Sequence, residues 1–525
     1  MLRRALFPAS VCIAGIFATF HPTLLSGFSR LQTDIGDPRL NNYLLEHAWL
    51  WITGRLTHPF WDPTFYFPAR NVLAYGDVLL GAAPIYWVWR VFGAMPDTAY
   101  QLWSMSIAAL NFVAFNWLLR RDFGVGRLAA VAGAYVFAFG GPRLAQLAHI
   151  QLFPQFFTVL LVHALIRIFA EERCERPARM WALAFGSLTL QLYAGYYLGW
   201  FAAFGVLLAL GAAVASSSGR ARLRAIARRD RTPILVSASA SMVALLPMGF
   251  HYVQAGREVG LRGFGSAISM LPRLPSWLTG DAGSWFYRWT LDVPPFSRLP
   301  MRHEHGLTFG ILTLVVALFG LRSSWRNPIV RVLGVVGLLA AVLASWFPGG
   351  MTLWGGVFWI VPGARALRAV TRIVLLIAIP ISVGVAYGIS RLQEARGPVL
   401  AGLLALACGL EQLHTTPSYD KLEVRARVAR LVGQVRPDCE AFLVTPHRRE
   451  PVQIDWFQLD AMWASLQNGV PTLNGYSGNG PPGWPFHEAV MDSPAEEEKI
   501  GKSLDAWSET HGLERGRVCW VKEVE

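Results

Sequence analysis

Apolar runs of about 20 residues recur from the start of the chain to about residue 413, each closed by a polar stretch usually rich in arginine. Wound as helices, runs of that length match the hydrocarbon thickness of a bilayer. The pattern predicts spans near 5–25, 98–119, 128–142, 151–169, 181–194, 196–216, 233–250, 305–321, 329–347, 370–390 and 398–413, about eleven in all. Residues 78–94 are apolar but short and carry Arg90 near their far end, so they read as interfacial or re-entrant. Beyond residue 413 the pattern changes. Helical periodicity appears at 422–435, 455–467 and 494–511, with strand-like runs at Ala441–Val444 and Val518–Val521. The fold class is an α-helical polytopic membrane protein, residues 1–413, followed by a small extracytoplasmic α/β domain, residues 414–525.

Charge orients the chain. The formal net charge of +13 suggests nucleic acid until its distribution is considered. From Thr415 onward 17 acidic residues face 12 basic ones, while the remainder carries 35 arginines and 17 acids. The arginines fall in every second short loop: Arg120, Arg121 and Arg127; Arg173, Arg176 and Arg179; six between 220 and 231; Arg322, Arg326 and Arg331; Arg391 and Arg396. That alternation is the positive-inside pattern, and it excludes nucleic acid as the reason for the charge. Leu2-Arg-Arg4 and the run 5–25 look like a secretory signal, but no small-x-small cleavage site follows. They read as an uncleaved first span with its amino end in the cytoplasm. The tail then lies outside, where Cys439 and Cys519, each beside a strand-like run, are able to pair.

Two outer loops are expected to be large. The first, 26–97, holds an amphipathic stretch at 39–55 with Leu44, Ala48, Trp51 and Ile52 on one face, as for a helix lying along the interface. Its aromatics Trp49, Trp51, Trp61, Phe65, Tyr66 and Phe67 suit the headgroup region. The second, 251–303, is rich in Pro, Gly and aromatics and too long for a simple connector, which suits a lid or a substrate wall. Residues 348–369 are glycine-dense, and such backbone at membrane depth must be buried in protein or line a wet cavity.

The candidate chemistry sits at outer ends of spans. Asp34 and Asp37 follow the first span, where a carboxylate is costly unless it has a use, as a general base over a substrate hydroxyl or as a metal ligand. Arg365, Arg368 and Arg372 have spacings that would place all three on one helical face, at an end of a span where few arginines are expected. Their guanidinium forks suit a lipid phosphate or diphosphate. Arg143, His149 and Gln151 lie outside between two spans and suit an anion or sugar site. In Arg302-His303-Glu304-His305 the His-x-His spacing points the rings apart on a helix, so Glu304 is a better candidate as a cavity carboxylate than the pair as metal ligands. No Walker motif, dinucleotide fingerprint or hydrolase elbow is present.

These residues resemble bacterial membrane glycosyltransferases of the GT-C superfamily, relatives of the protein mannosyltransferases and oligosaccharyltransferases. The likeness is carried by Asp34-x-x-Asp37-Pro38 with LNNYLLEHAWLW behind it, WDPTFYFPARNVLAYGD, AHIQLFPQFF, VPGARALRAVTRI and the tail stretch AMWASLQNGVPTLNGYSGNGPPGW. The resemblance implies inverting transfer of a sugar from a polyprenyl-phosphate-linked donor to a glycan, lipid or protein acceptor on the outer face of a bacterial inner membrane. It makes Asp34 the base, Asp37 its helper or a ligand for Mg or Mn, and Arg365, Arg368 and Arg372 the clamp on the donor phosphate, to which the outer position of Arg143 adds a fourth candidate. Asn41, Tyr75, His149, Gln151 and Glu304 join as substrate-binding residues. Where the mannosyltransferases have adjacent Asp-Glu, this chain has D-x-x-D, which leaves the identity of the base and any metal open. A transporter or flippase for lipid-linked glycans would use the same arginines without forming a glycosidic bond, and a non-catalytic protein of envelope assembly would be recognised through its tail.

Overall fold

The computed structural model describes residues 2–169, 174–447 and 454–523, so Arg173 of the second arginine-rich loop lies outside the described residues. The chain is mostly helical and forms a polytopic membrane protein. Six helices among the described residues are long and apolar enough to cross a bilayer: Leu6–Leu25, Pro96–Arg121, Leu147–Phe169, Tyr196–Val214, Arg231–Glu258 and Val370–Arg396. Ile311–Ser323, Pro328–Ala344 and Pro398–Leu410 are apolar but shorter. These three are shorter than the runs expected at 305–321, 329–347 and 398–413, because the helical backbone does not fill those runs. The run expected at 305–321, for example, is non-helical until Ile311. In the opposite sense, the helix Arg231–Glu258 continues eight residues into what the sequence suggests is loop. Residues 78–94 yield only the nine-residue helix Ala83–Val91.

Two compact units divide the chain. One comprises residues 1–24, 103–245 and 262–416. Its centre is the helix Val374–Arg396, whose residues Val374–Ala386 are all buried. Ile311–Ser323 crosses it closely because both carry glycine at the contact. A Cβ on Gly320 would fall 1.8 Å from the Gly384 carbonyl oxygen, and one on Gly388 2.5 Å from that of Val316. Apolar lipid tails do not drive helices together, so this close backbone approach is how such a pair gains contact. One chain of polar groups at the core of the unit is satisfied internally, as a medium without water favours. Asn111 donates to the Phe153 carbonyl at 2.7 Å and accepts from the Gln155 N–H at 3.1 Å, and Gln155 donates to the Leu375 carbonyl at 2.8 Å.

The other unit comprises residues 25–102, 246–261 and 417–525. Arg30–Gln32 pairs antiparallel with Ser418–Asp420. Ala441–Pro446 pairs parallel with Val518–Glu523, in the register Ala441 with Val518. Helices Lys421–Gln434, Ile454–Asn468 and Pro494–Thr510 accompany this small sheet. Leu443, Leu473, Phe486, Ile500, Leu504, Trp507 and Val518 form its core. Cys439 and Cys519 are joined in a disulfide. The helix Asp37–Ile52 does not fit the interfacial pattern proposed for 39–55. Its polar residues Asn41, Asn42 and Glu46 are buried along with Leu44 and Ala48, whereas Trp51 and Ile52 are exposed. Glu46 accepts from the Tyr86 hydroxyl at 2.6 Å and from Arg90 at 2.9 Å, and Arg39 pairs with Asp460 at 2.6 Å. Charge pairing makes burial of the polar face tolerable, and hydrophobic periodicity does not register it.

Candidate functional site

In the first unit the arginine segment is held by aromatic side chains at the start of the helix Tyr196–Val214. Trp200 donates its indole N–H to the Pro362 carbonyl at 2.9 Å, and Tyr196 donates to the Gly363 carbonyl at 3.0 Å. Gly363 has φ +81°, and a Cβ there would meet the Tyr196 hydroxyl at 2.3 Å, so the turn requires glycine. The Tyr197 hydroxyl accepts the backbone N–H groups of Arg368 and Ala369 at 3.0 and 3.2 Å, and the Arg372 guanidinium lies over the Tyr197 ring at 5.1 Å. From the other side Thr371 donates its N–H to the Met270 carbonyl at 3.0 Å.

Glu304 is 3% exposed and is the anion of this cluster. Arg372 donates from Nη2 to Glu304 Oε1 at 2.8 Å and from Nε to Oε2 at 3.4 Å. His149 Nε2 lies 3.7 Å from the same Oε1. Burial alone would raise the Glu304 carboxyl, but the charge and hydrogen bond of Arg372, with His149 and His303, hold it down at about 2. Arg368 is exposed. Its charge reaches Arg262, whose guanidinium is pushed below its ordinary range by burial and then by Arg368. Arg365 lies over the Trp359 ring at 4.9 Å, and its Nε is buried with no hydrogen-bond partner among the described residues. Arginine charge thus outnumbers carboxylate in this cluster, an arrangement suited to an anionic group.

Arg365, Arg368 and Arg372 do not share a helical face. Arg365 sits in the 3-10 turn Ala364–Ala366, Arg368 in non-helical backbone, and Arg372 in a second turn, Val370–Ile373. Pro362-Gly363 and the tyrosine contacts interrupt the helix that the spacing suggests. Arg143 is not part of this cluster. It is 2% exposed, donates to the carbonyls of Phe137, Leu152 and Phe153 at 3.0–3.3 Å and to Gln155, and stacks on two phenylalanine rings. Those contacts join helices and leave little of the fork for a phosphate. Gln151 is half-buried.

In the second unit Asp34 is exposed, and its Oδ1 accepts the Gly36 N–H at 2.8 Å. Asp37 begins the helix Asp37–Ile52, where the dipole favours a negative charge, and its Oδ1 accepts from the Tyr476 hydroxyl at 2.7 Å. Thr33, at φ +76°, donates its N–H to the Pro417 carbonyl at 2.7 Å and fixes the turn that presents these two carboxylates. Asn41 is 2% exposed. Tyr75 is buried and donates to Glu258 at 2.8 Å. No group of three or more His, Cys, Asp or Glu side chains able to hold a metal ion occurs among the described residues. His305 lies between the Ser276 hydroxyl at 2.7 Å and the Ser269 carbonyl at 3.0 Å, where its ring is structural.

Sequence reasoning missed Tyr197, Arg262 and Tyr476. The first two carry no motif. Tyr476 lies in a loop that reads as a turn, and only its partner, 439 residues away in the chain, shows its use.

No family model matches the chain, and no curated protein matches it. Among solved structures it is similar to arabinofuranosyltransferase AftD from mycobacteria, with a TM-score of 0.48 and 16% identity over 90% of this chain. The chain spans 33% of the length of AftD. It is also similar to ArnT from Cupriavidus metallidurans in the apo state, with a TM-score of 0.47 and 10% identity over 90% of this chain and 89% of that one. The likeness to ArnT bound to undecaprenyl phosphate has a TM-score of 0.46 and 11% identity, over 89% of each chain.

Proposed function

We propose that the protein is an inverting glycosyltransferase that moves a pentosyl or hexosyl unit from a polyprenyl-phosphate-linked donor to a glycan, lipid or protein acceptor outside the cytoplasm. The observation that carries this function is the cluster of Arg262, Arg365, Arg368 and Arg372 ordered by Tyr197, with Glu304 as its carboxylate. A lipid-linked donor needs no nucleotide pocket; it needs cations for its phosphate, which this segment offers in quantity. ArnT has been solved with undecaprenyl phosphate, which is the class of carrier proposed here.

In the reaction Asp34 takes the proton of an acceptor hydroxyl, and the oxygen attacks the anomeric carbon on the face opposite the phosphate. The carbon–oxygen bond to phosphate breaks with inversion, and the polyprenyl phosphate leaves with its new charge on the guanidiniums. Asp37 supports Asp34, and Asn41, Tyr75, His149, Gln151 and Glu304 shape the substrate sites. No step is assigned to a metal. The six long apolar helices, the three shorter ones and the helices Arg127–Phe139 and Pro177–Ala194 are together consistent with about eleven spans. The protein then sits in a bacterial inner membrane, with its amino end in the cytoplasm and residues 414–525 outside. The disulfide Cys439–Cys519 supports an oxidising location for that domain.

Lipid extraction and sugar analysis of a strain lacking the protein test the proposal. A polyprenyl-phosphate-linked sugar should accumulate while an envelope component loses that sugar. Unchanged lipid-linked sugars and an unchanged envelope would overturn it.

A further inference from the structure

The glycine-dense loop of the tail is pressed onto the first outer loop within one unit. A Cβ on Gly475 would fall 2.2 Å from the Tyr66 ring, and one on Gly478 2.9 Å from the Tyr75 carbonyl oxygen. Tyr66 donates its N–H to the Asn474 carbonyl at 2.9 Å, and Asn479 donates to the Tyr75 carbonyl at 3.2 Å. Asn474 is itself locked: it donates to the Val444 carbonyl and to Gln458, each at 3.0 Å, and its Oδ1 accepts the Val444 N–H at 2.7 Å. A loop fixed at both shoulders presents Tyr476 to Asp37 at 2.7 Å.

We propose that the tail completes the carboxylate site, with Tyr476 as a positioning residue that holds the Asp37 carboxylate in a fixed rotamer. This rests on the proposed function above, and it assigns the C-terminal domain a part in the reaction beyond a covering role. A phenol that donates to a carboxylate fixes one of its oxygens, so losing the hydroxyl removes one of the contacts that orient the Asp37 side chain. Other groups in the same field are Asp34, Tyr100 and Tyr419. Tyr419 in turn senses Arg39, Asp97, Asp34 and Arg427.

The test is Tyr476→Phe in the full chain in proteoliposomes, read as the kcat and the donor KM of sugar transfer from the lipid-linked fraction, with thermal unfolding recorded in parallel. Tyr476→Phe should lower kcat about tenfold, the weight of one hydrogen bond to a charged group, with the donor KM and the unfolding temperature unchanged. An unchanged kcat in a protein that still transfers sugar would overturn the positioning role and leave the proposed function standing. A fall in kcat matched by a fall in unfolding temperature and a raised KM would show a merely structural contact and overturn it as well. Absence of transfer by the unmodified protein under any condition would instead count against the proposed function itself.

Discussion

Replacing Glu304 with glutamine tests the buried pair on which the arginine segment depends. The side chains of Glu304 and Arg372 are 4% and 10% exposed, so neither charge has water to fall back on. Holding the carboxyl at about 2 against its ordinary 4.5 corresponds to roughly 3 kcal/mol in favour of the ionised pair. Loss of one partner from a buried pair costs about 3–5 kcal/mol, because the survivor is left uncompensated. Glu304→Gln should therefore lower stability at neutral pH by about 3 kcal/mol, and Arg372→Gln by a similar amount. The double variant should be less destabilised than the two losses added together, by about 2 kcal/mol. The sign with pH follows from the depressed carboxyl. The contribution is complete above about 4.5 and is lost as pH falls from there toward about 2. Glu304→Gln should show no such loss over that window. Unfolding in mixed detergent and dodecyl sulfate micelles, followed by tryptophan fluorescence, gives both quantities. Additive single losses, or an acid dependence unchanged in Glu304→Gln, would refute the pairing.

Arg368 is exposed and unneeded for packing, so Arg368→Ala should weaken binding of undecaprenyl phosphate about tenfold or more while leaving stability within about 0.5 kcal/mol. Equilibrium binding to the purified protein measures the first and thermal unfolding the second. Gly475→Ala forces a methyl group into the Tyr66 ring, 2.2 Å away, and should cost about 1–3 kcal/mol and loosen the tail loop, seen as faster proteolysis within residues 474–484.

Much of the architecture was legible because membrane helices and half-buried tail helices leave a period in the sequence. Helices expected at 422–435, 455–467 and 494–511 occur at Lys421–Gln434, Ile454–Asn468 and Pro494–Thr510. The strand runs beside Cys439 and Cys519 pair with each other, which places the two cysteines within bonding distance. What the period could not show is burial of polar residues. Asn41 and Glu46 read as the wet face of an interfacial helix, yet they are buried because Tyr86 and Arg90 meet Glu46 from another helix. Spacing also misled for Arg365, Arg368 and Arg372, since three aromatics of a distant helix hold that segment out of helical form. Arg143 looked like an anion ligand because it lies beyond a span. Its donors are turned back onto carbonyls of the preceding helix and of residues 152 and 153, which its position in the sequence does not show.

Asp34→Asn is the most direct probe of the central claim, that a carboxylate after the first span takes the acceptor proton while arginines hold the departing phosphate. The measurement is the rate of sugar transfer from a lipid-linked donor fraction in proteoliposomes, with undecaprenyl phosphate affinity recorded in parallel. Loss of a general base predicts a rate lower by about 100- to 10,000-fold with affinity for the carrier unchanged. Turnover equal to that of the unmodified protein would contradict the account.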